Sequence, residues 1–229
     1  MDRAFIIQAC IDKIAAKHYL EIGVQRGKNF FKIKAERKTA VDPNFLIGIK
    51  LRLSNLRSWL TSDFNEMTST DFFKKHAPPK LKNKKIDVAF IDGLHTYEQT
   101  LEDFLNCSRY LSDNGIILFH DCSPATPEAA APLNSPIEKM QKFPGQNAEW
   151  NGDVWKTIMH IRSLMPDWQA FVLDCDYGVG VAIRRKNDQP LSYSKEQIEK
   201  MDFAQLELNR ELFLGLKPPS YLNEFLESL

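Results

Sequence analysis

The sequence predicts an α/β fold built on a mostly parallel sheet, and three neighbouring segments carry that expectation. Ile86-Asp-Val-Ala-Phe-Ile-Asp92 and Ile116-Ile-Leu-Phe-His-Asp121 are near-continuous apolar runs, the pattern of parallel strands covered on both faces. Between them Tyr97, Leu101, Phe104, Leu105, Ser108 and Leu111 recur at helical spacing as far as Asn114-Gly115, which reads as the helix stop. Strand, helix and strand at this spacing form a βαβ unit whose crossover should be right-handed.

The rest of the chain fits around that unit. Phe5, Ile7, Cys10, Ile11 and Ile14 predict an amphipathic helix over residues 3–17. His18-Tyr-Leu-Glu-Ile-Gly23 is a short strand running into a glycine turn that closes at Gly27. Thr39-Ala-Val-Asp42 before Pro43 is a second strand, because a residue preceding proline is pushed out of the helical region. Residues 44–60 favour no element, 65–69 suggest a third strand, and the basic stretch 74–85 reads as a solvated surface loop. Residues 122–152 hold five prolines without a clear period, which suggests a lid over a site. Asp153 is placed to cap a helix burying Val154, Ile158, Ile161 and Met165, with Trp155 in the core. Residues 169–173 and 178–183 flank the turn Asp174-Cys-Asp-Tyr as an antiparallel hairpin. The tail is helical, with Ser194 and Gln197 spaced for a capping box. The expected division is one main domain over 1–188, with 122–152 as its lid, and a helical extension over 189–229. In the tail, Leu206, Leu212 and Phe213 suit a docking face or a dimer contact, so a homo-oligomer stays open.

Composition narrows the function classes. The 229 residues are 43% hydrophobic and 26% charged, in the range of globular proteins and outside the collagen-like, coiled-coil and disordered classes. Thirty Lys+Arg balance thirty Asp+Glu, so the chain lacks the positive field that favours nucleic acid. Nucleic acid is therefore disfavoured, apart from the local patch at 74–85. No apolar run approaches the ~20 residues that span a bilayer, and Met1-Asp-Arg-Ala-Phe-Ile-Ile does not read as a signal peptide. No membrane partner and a cytoplasmic location are expected. Cys10, Cys107, Cys122 and Cys175 form no CxxC pair, so reduced thiols are the default.

In alternating β and α elements ligands bind beyond the carboxyl ends of the strands, and four such ends carry polar groups. At the first, Glu21-Ile-Gly-Val-Gln-Arg-Gly27, glycines let the backbone approach a ligand, while Gln25 stands where a dinucleotide fingerprint needs glycine. At the second, Asp42 lies 19 residues after Gly23 and offers two acceptor oxygens to the vicinal hydroxyls of a ribose. The third and fourth end in Asp92 and in His120-Asp121. Adjacent parallel strands lie about 4.8 Å apart, so Asp92, His95, His120 and Asp121 can converge. His18, His76 and His160 read as structural residues, and the basic run 32–38 as a solvated face.

The spacing Glu-x-Gly-x-x-x-Gly resembles the first motif of class I S-adenosylmethionine-dependent methyltransferases. Phe90-Ile-Asp-Gly-Leu-His-Thr-Tyr-Glu98, Asp103, Leu111-Ser-Asp-Asn-Gly115, Phe119-His-Asp121 and Trp150-Asn-Gly-Asp-Val-Trp-Lys156 look like the bacterial branch with an Asp-Gly-x-His-x-Tyr motif. The likeness covers residues 18–121 well and 150–184 more loosely. It implies a Rossmann-like seven-stranded sheet with helices on both faces and an antiparallel last strand. It also implies S-adenosylmethionine as cofactor, held by Glu21, Gly23, Gly27, Asp42 and Asp92, with Ser69 near the adenine. Related O-methyltransferases hold magnesium at these strand ends, which makes Asp92 and Asp121, with His120 as a third, the candidate metal ligands. His95, three residues past Asp92, would take the proton of the acceptor as its base. The expected activity is O-methylation of a small molecule, a sugar among the options, with Mg²⁺ or another divalent metal assisting. The alternative is a binding or scaffold protein that keeps the fold without turnover.

Overall fold

The computed structural model describes residues 1–82, 85–133, 136–143 and 150–229. Seven strands form one sheet in the order β3-β2-β1-β4-β5-β7-β6. They are β1 His18–Ile22, β2 Arg37–Asp42, β3 Asp63–Glu66, β4 Ile86–Ile91, β5 Leu111–Phe119, β6 Trp168–Leu173 and β7 Val179–Arg184. β1 to β5 pair in parallel, and β7 runs antiparallel to both β5 and β6. This is the Rossmann-like sheet with a reversed last strand that the sequence implied.

Side chains alternate across the strands, so each strand feeds two cores. Tyr19, Val88, Phe90, Ile116, Leu118 and Val181 face α1 Arg3–Lys13 and the terminal helix. Leu20, Ala89, Ile91, Ile117, Phe119 and Ala182 face the helices of the other layer. The layer over α1 includes two short helices, α2 Ile49–Ser54 and α3 Leu56–Thr61, over the stretch that the sequence left undecided. On the opposite face lie α4 Ser69–Asp71, a π-helical turn Phe72–His76 and α5 Ala77–Leu81, then α6 Tyr97–Tyr110. α7 Pro136–Lys142, α8 Trp155–Leu164, α9 Lys195–Lys200, α10 Phe203–Leu214 and α11 Tyr221–Glu227 complete the chain.

Several expectations need correction. The third strand is Asp63–Glu66, earlier than 65–69, and Ser69 opens a helix. The basic stretch is not a loop up to Lys82, because Phe72, Phe73, Ala77 and Leu81 fall on one buried face while the lysines point outward. Asn83 and Lys84 lie outside the described residues. The first helix stops at Lys13, where Ala15 turns to φ +50°, and Asn114-Gly115 lies inside β5 while α6 ends at Tyr110. Lys38 is not on a solvated face. Its Nζ donates to the carbonyls of Phe30 (2.8 Å) and Ile33 (3.1 Å) and sits 4.2 Å from the Phe30 ring.

Asp153 does not cap α8. Its Oδ1 accepts the Tyr97 N–H at 2.7 Å, so it caps α6 from a distance, and its other oxygen pairs with Lys156 at 3.3 Å. Of the expected lid, α7 is helical, whereas 134–135 and 144–149 lie outside the described residues. The Ser194–Gln197 capping box forms as expected. In the tail, Leu206 and Phe213 are buried with the core beside α8, Leu212 is 55% exposed, and Phe225 of α11 packs on Phe171. All four cysteines are free thiols.

Candidate active site

The ladder carries its register past the strand ends and brings the polar residues together. Gly23 N–H donates to Val41 O (2.9 Å), Asp92 N–H to Ile22 O (2.9 Å) and His120 N–H to Ile91 O (3.1 Å). Gly23, Asp42, Asp92 and Asp121 thus share the carboxyl edge of the sheet. At Gly23, φ is +86° and an added Cβ would lie 1.8 Å from the Asp92 carbonyl oxygen. Glycine there is what lets the first turn pass against the end of β4.

From that edge a cleft of about 690 Å³ runs past Gly23, Asp42, Ser69 and Asp103 to Asp92, His95 and Trp150. Asp42 accepts from Gln25 N–H and Asn44 N–H, both at 2.7 Å, so its carboxylate is held at the cleft by the turn that follows β1. Burial nonetheless raises its pKa against those two donors. Gln25 takes φ +44°, a costly conformation for a residue with a side chain, and the bond to Asp42 offsets it. Ser69 is buried and accepts from Gln99 Nε2 at 3.3 Å. Asp103, beside it, is pushed up to about 7 by burial, against the hydrogen bonds of Ser69 and Gln99.

Glu21 is fully enclosed beneath the first turn. Tyr19 Oη and Asn29 Nδ2 donate to its Oε2, the latter at 2.9 Å. Burial dominates and pushes its carboxyl up to about 8. A second cleft of about 430 Å³ starts at Glu21, Gly23 and Asp92 and opens toward Arg3 and Arg26.

Asp92, His95 and Asp121 present ligand atoms that all lie within 4.8 Å of one another. His95 Nε2 stands 3.3 Å from Asp121 Oδ2 and 3.7 Å from Asp92 Oδ1. Its Nδ1 lies 2.6 Å from the Trp150 carbonyl oxygen, which can only accept, so Nδ1 carries the proton and Nε2 faces the two carboxylates. Burial opposes a charge on His95, but Asp92 and Asp121 outweigh it and raise its pKa. Asp121 is held at φ +61°, with the Asn151 side-chain amide donating to its Oδ1. Gly152 follows at φ +62°, where a Cβ would meet the His95 carbonyl oxygen at 1.7 Å.

His120 bridges that group to Asp176 and to Arg3 near the N-terminus. Its Nδ1 is 2.9 Å from Asp121 and 3.3 Å from Asp92, its Nε2 is 3.5 Å from Asp176, and Arg3 Nη1 lies 2.7 Å from the ring. Burial disfavours the imidazolium, yet Asp121, Asp176 and Asp92 together hold its pKa up to about 11. In turn His120 and Arg3 hold Asp176 down to about 2. Arg3 also reaches Asp92 at 3.3 Å. Gly27 closes the first turn through its N–H to Val24 O at 2.7 Å, outside both clefts.

Sequence reasoning missed Arg3, Asp176 and Asn151, and Asp176 appeared only as part of a turn. Asn151 lay inside the Trp150–Lys156 segment and Asp176 inside a turn, but their roles come from partners distant in sequence, as Arg3 meets His120 and Asn151 meets Asp121.

Residues 20–122 match the family described as Methyltransferase domain. Among solved structures the chain resembles an O-methyltransferase from Bacillus cereus in complex with SAH, at 14% identity and a TM-score of 0.53, over 80% of each chain. It also resembles an O-methyltransferase from Streptomyces achromogenes involved in tomaymycin synthesis, in complex with SAM. There the identity is 13% and the TM-score 0.50, over 79% of this chain and 78% of that one. No curated protein matches the chain in sequence. The sheet order is Rossmann-like, and the matched domain, over residues 20–122, is that of a methyltransferase. Among the described residues no helix is long and apolar enough to cross a membrane.

Proposed function

We propose that the protein transfers the methyl group of S-adenosylmethionine to a hydroxyl oxygen of a small molecule, a sugar hydroxyl being of the right kind. One observation supports this reading above the others: a single cleft joins Gly23, Asp42 and Ser69 to Asp92 and His95. In it Asp42 would accept the ribose hydroxyls and Ser69 would lie near the adenine, while Gly23, shared with the second cleft that Glu21 lines, would lie against the methionine end.

Methyl transfer from a sulfonium is an in-line displacement, so the protein has to align two partners and remove one proton. The Trp150 carbonyl fixes the tautomer of His95, whose Nε2 has one lone pair to offer. We assign that lone pair to the acceptor proton. Asp92 and Asp121 would steady the resulting imidazolium, as their raising of the His95 pKa indicates.

The Asp92 and Asp121 carboxylates, whose oxygens converge within 4.8 Å, also suit a divalent cation, with the His95 lone pair kept for the acceptor proton. Asp92 and Asp121 would hold it, and the metal would supply orientation and acidity to the acceptor hydroxyl. His120 fits that role less well, because its nitrogens are already engaged by Asp121, Asp176 and Arg3.

The test is transfer from S-adenosylmethionine carrying a ¹³C methyl to a panel of sugars and other small hydroxyl compounds, with products read by NMR. New O-methyl signals support the reading, and methyl groups found only on nitrogen overturn it. Dialysis against a chelator, followed by Mg²⁺, decides whether the metal takes part.

A further inference from the structure

From Asn44 to Ser62 the chain has no carboxylate and carries Lys50, Arg52 and Arg57. Here α2 and α3 follow one another, and Asn55 N–H to Leu51 O (3.1 Å) and Trp59 N–H to Asn55 O (2.8 Å) continue the helical course across their junction. Leu51 and Trp59 turn inward, with the Trp59 ring 4.3 Å from that of Phe64. The outward positions are aliphatic: Ile49, Leu53, Leu56 and Leu60 are 72, 65, 49 and 72% exposed. Leu46, 50% exposed, adds a fifth at the lip of the larger cleft. Arg52 turns inward with Trp59, its Nε donating to Ile47 O at 3.0 Å, but leaving five large aliphatic side chains in water beside Lys50 and Arg57 is a cost that no contact among the described residues recovers.

We propose that this face rests on an anionic lipid surface, with the aliphatic row in the headgroup–acyl boundary and Lys50 and Arg57 against the lipid charges. Three observations select that occupant. The patch combines apolar side chains with cations and lacks carboxylates, the composition of a helix lying in a membrane interface. Its exposed apolar residues are Leu and Ile without an aromatic, whereas protein interfaces draw their binding energy from Trp, Tyr and Arg, with Leu under-represented. A second copy of the chain would bring the same cations to the same face under two-fold symmetry, and like charges would oppose it. Because Leu46 belongs to both, the mouth of the cleft opens at the lipid surface.

The test is co-sedimentation of the full chain with vesicles of phosphatidylcholine alone, or mixed equally with phosphatidylglycerol. At about 1 kcal/mol for each of the two cations near an anionic surface, the mixed vesicles should bind roughly 30-fold more tightly and lose the protein in high salt. Leu53→Asp with Leu60→Asp should abolish binding, and Lys50→Glu with Arg57→Glu should weaken it at least about ten-fold. Both pairs sit on exposed positions, so their melting curves should match that of the unchanged chain. Folded protein that stays in solution with anionic vesicles would overturn the proposal, as would variants that bind unchanged. Light scattering that shows a dimer split by the Leu53→Asp, Leu60→Asp pair would assign the face to a second copy instead.

Discussion

His95 Nδ1 donates its proton to the carbonyl oxygen of Trp150 at 2.6 Å, and this leaves Nε2 turned toward Asp92 and Asp121. The pairing links the Asp-Gly-x-His-x-Tyr segment to a residue 55 positions later, so the geometry of the base depends on both.

Replacing His95 by Gln keeps a polar group of similar length and removes the base. Turnover should fall about 10²- to 10⁴-fold, the usual worth of a positioned base, with little change in KM for S-adenosylmethionine. A steady-state split of kcat from KM reads this directly. Equal losses in both parameters would mean that His95 shapes the cofactor cleft and does not serve as the base.

Gly152→Ala tests the support behind that base. A Cβ at φ +62° would collide with the His95 carbonyl, so the backbone must shift. The strain should cost at least about 1 kcal/mol and lower Tm by roughly 2–4 °C. Turnover should drop further than stability alone accounts for. A variant that melts and turns over like the original chain would detach the 150–152 segment from the site.

Glu21 sets a pH dependence. Burial raises its carboxyl from the ordinary 4.5 to about 8, so the folded state favours the protonated acid. Its contribution to stability is therefore complete below pH 4.5 and is lost as pH rises through about 8. Melting temperatures of the ligand-free protein should decline over that window, and Glu21→Gln should flatten the decline. An identical decline in the variant would contradict the burial account. A cationic ammonium placed against Glu21 would favour the ionised form, so cofactor binding should release a proton near neutral pH.

Asp153→Ala removes the acceptor of the Tyr97 N–H at the start of α6, whose N-cap Thr96 remains, and leaves Lys156 buried without its counter-ion, both side chains being 8% exposed. Stripping one partner from such a pair costs about 3–5 kcal/mol, and urea unfolding would measure it. A loss well under about 1 kcal/mol would show that Lys156 is satisfied by the Glu199 carbonyl alone.

Much of this fold is legible in the sequence because its central strands are apolar without interruption and end in polar residues. Ile86–Ile91 before Asp92 and the apolar run before His120-Asp121 fix both the sheet and the place of the site. Elsewhere, local composition conceals the tertiary answer. The lysines around Phe72 and Phe73, with Pro78 and Pro79 next to them, hide a helix whose first turn tolerates proline. Lys38 looks solvated because its stem is long enough to reach carbonyls beneath Phe30. Asp153 sits at the right place to cap its own helix, yet serves one that starts 56 residues earlier. Arg3 carries no motif, since its role exists only where α1 meets the ends of β4 and β5.

The measurement closest to the central claim is titration calorimetry of the purified protein with S-adenosylhomocysteine, repeated on Asp42→Ala. Asp42 is held at the cleft by the N–H groups of Gln25 and Asn44, placed to receive the ribose hydroxyls. Micromolar binding by the original chain and at least about ten-fold weaker binding by the variant are expected, since the lost bonds involve a charged acceptor. No heat at millimolar ligand, from protein shown by circular dichroism to be folded, would contradict the account.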